Sequence, residues 1–392
     1  MKPKLLGALC VAVLCIILTL GLWPFHSPKN DVTWFKSASG LSFGHYGSVH
    51  SSGALQTTSS ARGIGGSIEI WVQPNQWSGG TILAFYEPER RRLFELQQSL
   101  SDLKLETEVQ NHENQTTKAR LYVGDAFLHS LQKKKPIFVA VTYGPDGTNA
   151  YVDGTLAEAA PRFVIPNDAF TGRIVVGDSP WQPDSFRGQI RGLAVYHAEL
   201  AAAQVSRHYL SWTNNGRPDT TEDEHNTALY LFDEKAGTVI RNRAAAGPDL
   251  YIPERYTVAN KISLEPFWKE FHKSRSYWED VLMNVVGFIP VGFVFYAYFR
   301  TASPIKRAML ATIAVGTATS LTIEILQAFL PTRDSGTTDL FTNTLGTYVG
   351  VLCYRDLYPI FTKQFPWLGR FLVPSAATET SPEPSWKSPP RC

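Results

Sequence analysis

Four apolar runs constrain this chain more than anything else in it. The first, "LLGALCVAVLCIILTLGLW" at 5–23, carries no charge. At about 1.5 Å per residue its nineteen residues span roughly 28 Å, close to the hydrocarbon thickness of a bilayer. The next two are "VLMNVVGFIPVGFVFYAYF" at 281–299 and "AMLATIAVGTATSLTIEILQAFLP" at 308–331. The fourth, "LFTNTLGTYVGVLCY" from 340, is short and needs its neighbours, with Tyr or Arg anchors at its ends, to cross. No small-residue cleavage site follows the first run convincingly, and Leu9 and Leu14 precede Cys10 and Cys15, so it reads as an uncleaved spanning helix.

Basic residues orient these spans. Lys2 and Lys4 precede the first, Arg300, Lys306 and Arg307 fill the loop after the second, and Arg355 and Lys363 follow the fourth. Placing all three groups in the cytoplasm satisfies the positive-inside rule and puts both termini inside. Lys269, Lys273 and Arg275 pull the other way, but they end a long loop, where the rule is weak. Residues 267–278, "FWKEFHKSRSYW", have near-helical aromatic spacing that suits an interfacial helix.

The intervening region, 31–262, is then extracytoplasmic. The net charge of +2 on 392 residues and a charged fraction of only 18% give nucleic-acid binding no support. The four cysteines, 10, 15, 353 and 392, all fall outside 24–279, which excludes an internal disulfide framework there. Within it, "SIEIWVQP" (67–74), "TILAFYE" (81–87), "RLFELQQ" (92–98), "ARLYVGD" (119–125), "IFVAVTYGPDGTNAYVDGTL" (137–156), "GRIVVGD" (172–178) and "FRGQIRGLAVYHAEL" (186–200) alternate apolar and polar residues. Pro145-Asp146-Gly147 and Asp153-Gly154 supply turns. Short strands without a helical interruption predict a two-sheet antiparallel sandwich. The flanks 32–49 and 228–253 add strands that close it, and the Pro- and Ser-rich 374–392 reads as disordered.

The sandwich sequence resembles the laminin-G-like, concanavalin A-like jelly-roll family over about 60–212. That family includes sugar binders, protein binders, hydrolases and spacers, so the resemblance implies a fold and leaves the activity open. Trp77, Trp181 and Trp212 are available for a glycan, though each equally suits core or rim packing. No paired-carboxylate motif for glycoside hydrolysis stands out on any strand.

The polarity of the membrane runs is ordered. Asp280 and Asn284 are i and i+4, with Gly287 continuing the face; Glu324 and Gln327 are i and i+3 near the end of the third run; Arg333 and Asp334 lie in the following turn; Asp339, Asn343, Gly346 and Gly350 again share one face. With the assigned topology these faces meet at one depth, in the outer leaflet. The glycines allow close helix approach, and Pro290 is expected to kink the second run below the cluster. A carboxylate in a bilayer costs about 2.5–3.5 kcal/mol, which points to function, with Arg333 the expected partner of Glu324 or Asp334. A hydrogen-bonded lock between helices is the bland reading, and one network can serve both ends.

"D-x3-N-x2-GFIPVG", "E-x2-Q" and "P-x-RD…D-x3-N-x2-G-x3-G" across 278–358 resemble the VanZ-like membrane family. The first run resembles that family's remaining helix. The fold class expected is therefore an all-β two-sheet antiparallel jelly-roll sandwich inserted in a four-helix α transmembrane bundle. The domains are 1–30 (first helix and exit), 31–262 (jelly roll), 263–279 (interfacial linker helix), 280–362 (three VanZ-like helices) and 363–392 (disordered cytoplasmic tail). The resemblance implies a bacterial envelope location and a link to glycopeptide tolerance or polysaccharide handling, without a reaction.

Two functions remain open. One is a non-enzymatic envelope protein of the cytoplasmic membrane, whose jelly roll binds a glycan or protein while Asp280, Asn284, Glu324, Gln327, Arg333, Asp334, Asp339 and Asn343 bind a membrane lipid or lipid-linked precursor. The other is an enzyme on a polyprenyl-phosphate-type lipid, with Glu324 or Asp339 as general base and Arg333 against the phosphate. No cofactor is implied. A metal is left open; the oxygen ligands Glu324, Asp334 and Asp339 would suit Mg²⁺ or Ca²⁺.

Overall fold

The computed structural model describes residues 3–56, 65–89, 93–110, 116–221, 226–244, 247–271, 274–357 and 360. The tail expected to be disordered lies outside them. The chain divides into two compact units, one helical (Met1–Pro24, Ser263–Phe329 and Ser335 onward) and one mainly β (Phe25–Ile262 with Leu330–Asp334).

The β unit begins with β1 (Val32–Trp34), β2 (Leu41–Phe43), β3 (Val49–Ser51), β4 (Gly66–Pro74), β5 (Gly80–Tyr86), β6 (Phe94–Ser99), β7 (Asp102–Gln110) and β8 (Thr116–Val123). After the short helix α2 (Leu128–Lys133) come β9 (Ile137–Gly144), β10 (Gly147–Val152), β11 (Thr155–Ala160), β12 (Arg173–Val176) and β13 (Gly188–Tyr196). Helix α3 (Ala202–Asn215) precedes β14 (Asn226–Tyr230), β15 (Val239–Ile240) and β16 (Leu250–Tyr251). These form two antiparallel sheets, ordered β1-β2-β13-β4-β9-β10-β11, with β14 also on β13, and β15-β16-β3-β12-β5-β6-β7-β8.

Period-two alternation builds the sandwich. Ile68, Ile70 and Val72 of β4, Val139 and Val141 of β9, Phe94 and Leu96 of β6, and Leu103 and Leu105 of β7 point into one shared core. Each such side chain contributes about 1.5–3 kcal/mol when fully buried. The turns expected at 145–146 and 153–154 join β9 to β10 and β10 to β11. Asp153 (φ 48°) and Gly154 (φ 75°) both adopt the left-handed conformation of a two-residue type I′ hairpin.

Two helices correct the expectation of an uninterrupted all-β region. Helix α3 lies on the outer face of the first sheet, where Phe138, Ala140, Tyr151, Ala194, Tyr196, Val205 and Trp212 form a second, smaller core. The carboxylate of Glu69, fully buried on β4, sits at its centre. It accepts from His208 Nδ1 at 2.7 Å, Tyr196 OH at 2.9 Å and Trp212 Nε1 at 3.0 Å. Gly192 on β13 makes this seat possible, because a Cβ there would overlap the Trp212 ring.

A second buried carboxylate shapes the loop after β12. Asp178 Oδ1 accepts the backbone N–H groups of Ser179 (2.9 Å) and Asp184 (2.8 Å). Burial outweighs these bonds and pushes the acid up from 3.8 to about 7. A folded-state value above the unfolded one means that the group's stabilisation is complete below pH 3.8 and is lost as pH rises through about 7. Asp178→Asn keeps the acceptor oxygen without the charge. It is expected to raise the thermal midpoint at pH 8, by an amount corresponding to about 1–3 kcal/mol, and to change little at pH 5. A variant destabilised most at pH 8 would show that the charged form is required.

The helical unit comprises α1 (Pro3–Leu22), the single turn α4 (Phe267–Glu270), α5 (Arg275–Thr301), α6 (Ala308–Gln327) and α7 (Thr337–Leu352), the last followed by a π turn at Cys353–Leu357. Among the described residues three helices are long and apolar enough to cross a membrane: Lys4–Leu22, Tyr277–Thr301 and Ala308–Gln327. With sixteen residues α7 falls short of that length. The linker expected to be one helix over 263–279 is divided instead, with α4 ending at Glu270 and α5 starting at Arg275. Helix α5 continues through Pro290. Cys10, Phe288, Val291, Val294, Phe295 and Ile323 pack α1, α5 and α6 together.

The contact of α5 with α7 is made by backbone. A Cβ on Gly346 would overlap the carbonyl oxygen of Val285, one on Gly350 that of Ile289, and one on Gly292 that of Thr347. Gly287, expected to share in this approach, faces open space. Gly292 takes that role.

Candidate functional site

The polar side chains of the helical unit gather around the start of α7. Gly336 is its N-cap, so the first backbone N–H groups of the helix have no partner within it. Carboxylates supply partners from two other helices. Glu324 Oε2, from α6, accepts the Gly336 N–H at 2.9 Å, and Glu270 Oε2, from α4, accepts the Thr338 N–H at 2.9 Å together with its hydroxyl. Acceptor oxygens at this end also complement the helix dipole. Ser335 donates its hydroxyl to the Glu324 carbonyl at 2.8 Å. The strand-like Glu265 exchanges backbone bonds with Ser335 and Thr337. Glu324 is 1% exposed, so an acid lies enclosed between the helices.

Two amide pairs extend the cluster. Asn284 of α5 donates to Asp339 Oδ1 of α7 at 2.7 Å. One turn deeper, Asn343 donates to the Ser320 hydroxyl of α6 at 3.0 Å. The i, i+4 spacings 339/343 on α7 and 320/324 on α6 place these contacts in successive layers along α7, the first against α5 and the second against α6. Asn343 is 4% exposed and its Oδ1 has no hydrogen-bond partner. Swapping the amide would leave its nitrogen orphaned in the same place, so one buried polar valence stays open in either orientation.

The structure thus brings together Asn284, Glu324, Asp339 and Asn343. Gln327 turns elsewhere, donating to the Gly21 carbonyl at the end of α1 at 2.8 Å. Asp280 is exposed on the first turns of α5. Arg333 and Asp334 lie in the 330–334 segment, which groups with the β unit. Arg333 was expected to partner Glu324 or Asp334; the Glu324 carboxylate accepts the Gly336 backbone N–H. Glu270, Ser320 and Ser335 were not singled out from sequence. Ser320 could have been, since it precedes Glu324 by one turn on the same face. Among the described residues no group of three or more His, Cys, Asp and Glu side chains converges to hold a metal ion.

Arrangement and fold define a membrane protein that carries a lectin-like domain. Residues 238–361 match the VanZ/LLP1 family, and residues 43–206 match the concanavalin A-like lectin/glucanases superfamily. No curated protein matches the chain. Among solved structures it resembles the heptameric SAP-like pentraxin of Limulus polyphemus, at 13% identity over 57% of this chain and 95% of that one, TM-score 0.35. It also resembles a candidate carbohydrate binding protein from Bacteroides ovatus (13% identity, 56% and 61% of the two chains, TM-score 0.37). A third is the binding domain of botulinum neurotoxin DC in complex with rat synaptotagmin II, with 16% identity, 47% of this chain, 45% of that one, and a TM-score of 0.32. Of the tryptophans considered for a glycan, Trp181 and Trp212 are buried and Trp77 is 52% exposed.

Proposed function

We propose that the chain is a multi-pass protein of the bacterial cytoplasmic membrane whose helical unit binds a lipid-linked envelope component while its lectin-like domain binds a glycan or protein outside. In this reading α1, α5, α6 and α7 form a four-helix bundle with both termini in the cytoplasm. Residues 31–262 are extracytoplasmic, 263–279 lie at the interface, and 280–362 form the membrane domain. The observation that carries it is the layered cluster of Glu270, Glu324, Asn284, Asp339 and the half-satisfied Asn343 at one end of apolar helices. Phe267, Trp268, Phe271, Trp278 and Phe341, all exposed, surround the same end, as aromatic residues do at headgroup level.

The chemistry of the cluster favours the donor-rich part of a headgroup over its phosphate. Glu324 and Glu270 already take the N–H groups at the start of α7 that an anion would need. Hydroxyls or an amine of a lipid-linked saccharide would find acceptors there. The same occupancy argues against the alternative of an enzyme that grips a polyprenyl phosphate at this point.

Native mass spectrometry of the full chain purified from bacterial membranes tests the proposal. A lipid-linked saccharide is expected to co-purify with the wild type. Glu324→Gln and Asn343→Leu should reduce it about tenfold, the loss of one or two hydrogen bonds. Equal retention of bulk phospholipid alone in all three proteins would refute the reading.

A further inference from the structure

Three loops of the β unit, 44–48, 75–79 and 177–187, meet around a cavity of about 230 Å³ lined by His45, Tyr46, Ser78, Pro183, Asp184 and Arg187. It is far from any residue named above for the membrane site in sequence, and its walls are held in place from behind. The buried Asp178 fixes the loop by accepting the Asp184 N–H, and Thr81 donates its hydroxyl to Asp184 Oδ2 at 2.6 Å. Tyr46 packs against the fully buried Tyr256 with ring centroids 5.2 Å apart.

Arg187 is the notable wall. Its guanidinium contacts His45 Nδ1, and the Gln76 amide, oriented with its oxygen inward, accepts from Nε at 3.1 Å and Nη1 at 3.2 Å. Neither of these partners is a carboxylate. A guanidinium held by a ring nitrogen and an amide, with no carboxylate among these contacts, keeps its charge for a ligand, and its planar fork matches a carboxylate. Between Gln76 and Ser78 the same loop carries Trp77, 52% exposed, a large aromatic face in water next in sequence to the lining residue Ser78.

We propose that this cavity binds a carboxylate-bearing sugar residue, Arg187 meeting the carboxylate, Asp184 accepting from ring hydroxyls, and the rings of Tyr46 and Trp77 lying against its C–H faces. The size suits a single pyranose ring, and the Asp184 carboxylate disfavours a phosphate dianion in the same space. The assignment rests on the reading of this domain as a glycan binder and adds to it the ligand class and the residues.

The test uses the full chain in nanodiscs against three matched oligosaccharides: an oligogalacturonate, its methyl ester and the neutral galactose oligomer. The acid form should bind at least about tenfold more tightly than its ester. Arg187→Gln and Arg187→Lys should each lose about tenfold or more for the acid, the lysine because it lacks the fork, while Trp77→Ala weakens binding by about the same factor. Unchanged melting curves would establish that these loop variants are folded. Equal binding of acid and ester, or acid binding indifferent to Arg187→Gln, would overturn the assignment. Binding of only the neutral oligomer, untouched by these variants, would overturn it and leave the glycan-binding reading standing. Binding of none would remove both.

Discussion

Leucine in place of Gly350 is expected to abolish the monodisperse, thermally stable form of the full chain in detergent. A Cβ at this position overlaps the Ile289 carbonyl oxygen and comes within 2.8 Å of the Phe293 nitrogen and 2.9 Å of Gly292 Cα. All three are backbone atoms of α5, which cannot rotate away as a side chain can. Overpacking a core normally costs about 1–3 kcal/mol, and forcing two helix backbones apart along a shared face exceeds that range. The separation would also pull Asn284 from Asp339, because both lie on the same contact. Gly287→Leu is the control. It sits on α5 facing open space, so it should gain helix propensity of up to about 1 kcal/mol. Fluorescence-detected size exclusion after heating compares the two. Equal midpoints would mean that α5 and α7 are not packed backbone to backbone.

The second large effect belongs to Glu69. Removing its carboxylate in Glu69→Ala strands three buried donors, His208 Nδ1, Tyr196 OH and Trp212 Nε1, and opens a cavity beneath α3. Each buried donor left unsatisfied costs about 1–3 kcal/mol, and the cavity adds to that loss. Glu69→Gln keeps the volume and one acceptor oxygen, and should recover part of that loss. Denaturant unfolding followed by tryptophan emission reads both, since Trp212 itself reports whether α3 stays docked. An alanine variant as stable as the wild type would show that α3 is held by its apolar contacts alone, those of Val205 and the Trp212 ring.

The helical site was partly legible because helices carry their own ruler. The spacing of Asp339 and Asn343, and the placing of Asn284 and Glu324 in neighbouring runs, suffices to bring those four side chains together. Glu270 escaped notice because its role depends on the chain breaking after α4, a tertiary event that periodicity does not encode. The choice between Gly287 and Gly292 turns on the rotation of α5 about its axis, which is set by its partners. In the β unit, β7 was passed over although Leu103, Leu105, Thr107 and Val109 alternate. Its outward residues are charged, and Glu106 can lie 1% exposed because Lys104, two residues earlier on β7, and Arg120, on β8, each reach it at 2.9 Å. Helix α3 hid for a similar reason. Its buried stripe runs through the polar residues His208 and Ser211, and the partner of His208, Glu69, lies 139 residues away in the sequence.

A small diazirine-bearing residue at position 284, activated in native membranes, tests most directly whether the polar layer around α7 is a ligand site. Cross-linking to a saccharide-bearing lipid is expected at 284, with only bulk phospholipid captured at the exposed position 310 of α6. The same phospholipid adducts at both positions, with no saccharide-bearing species, would contradict the account and leave the cluster as a lock between helices.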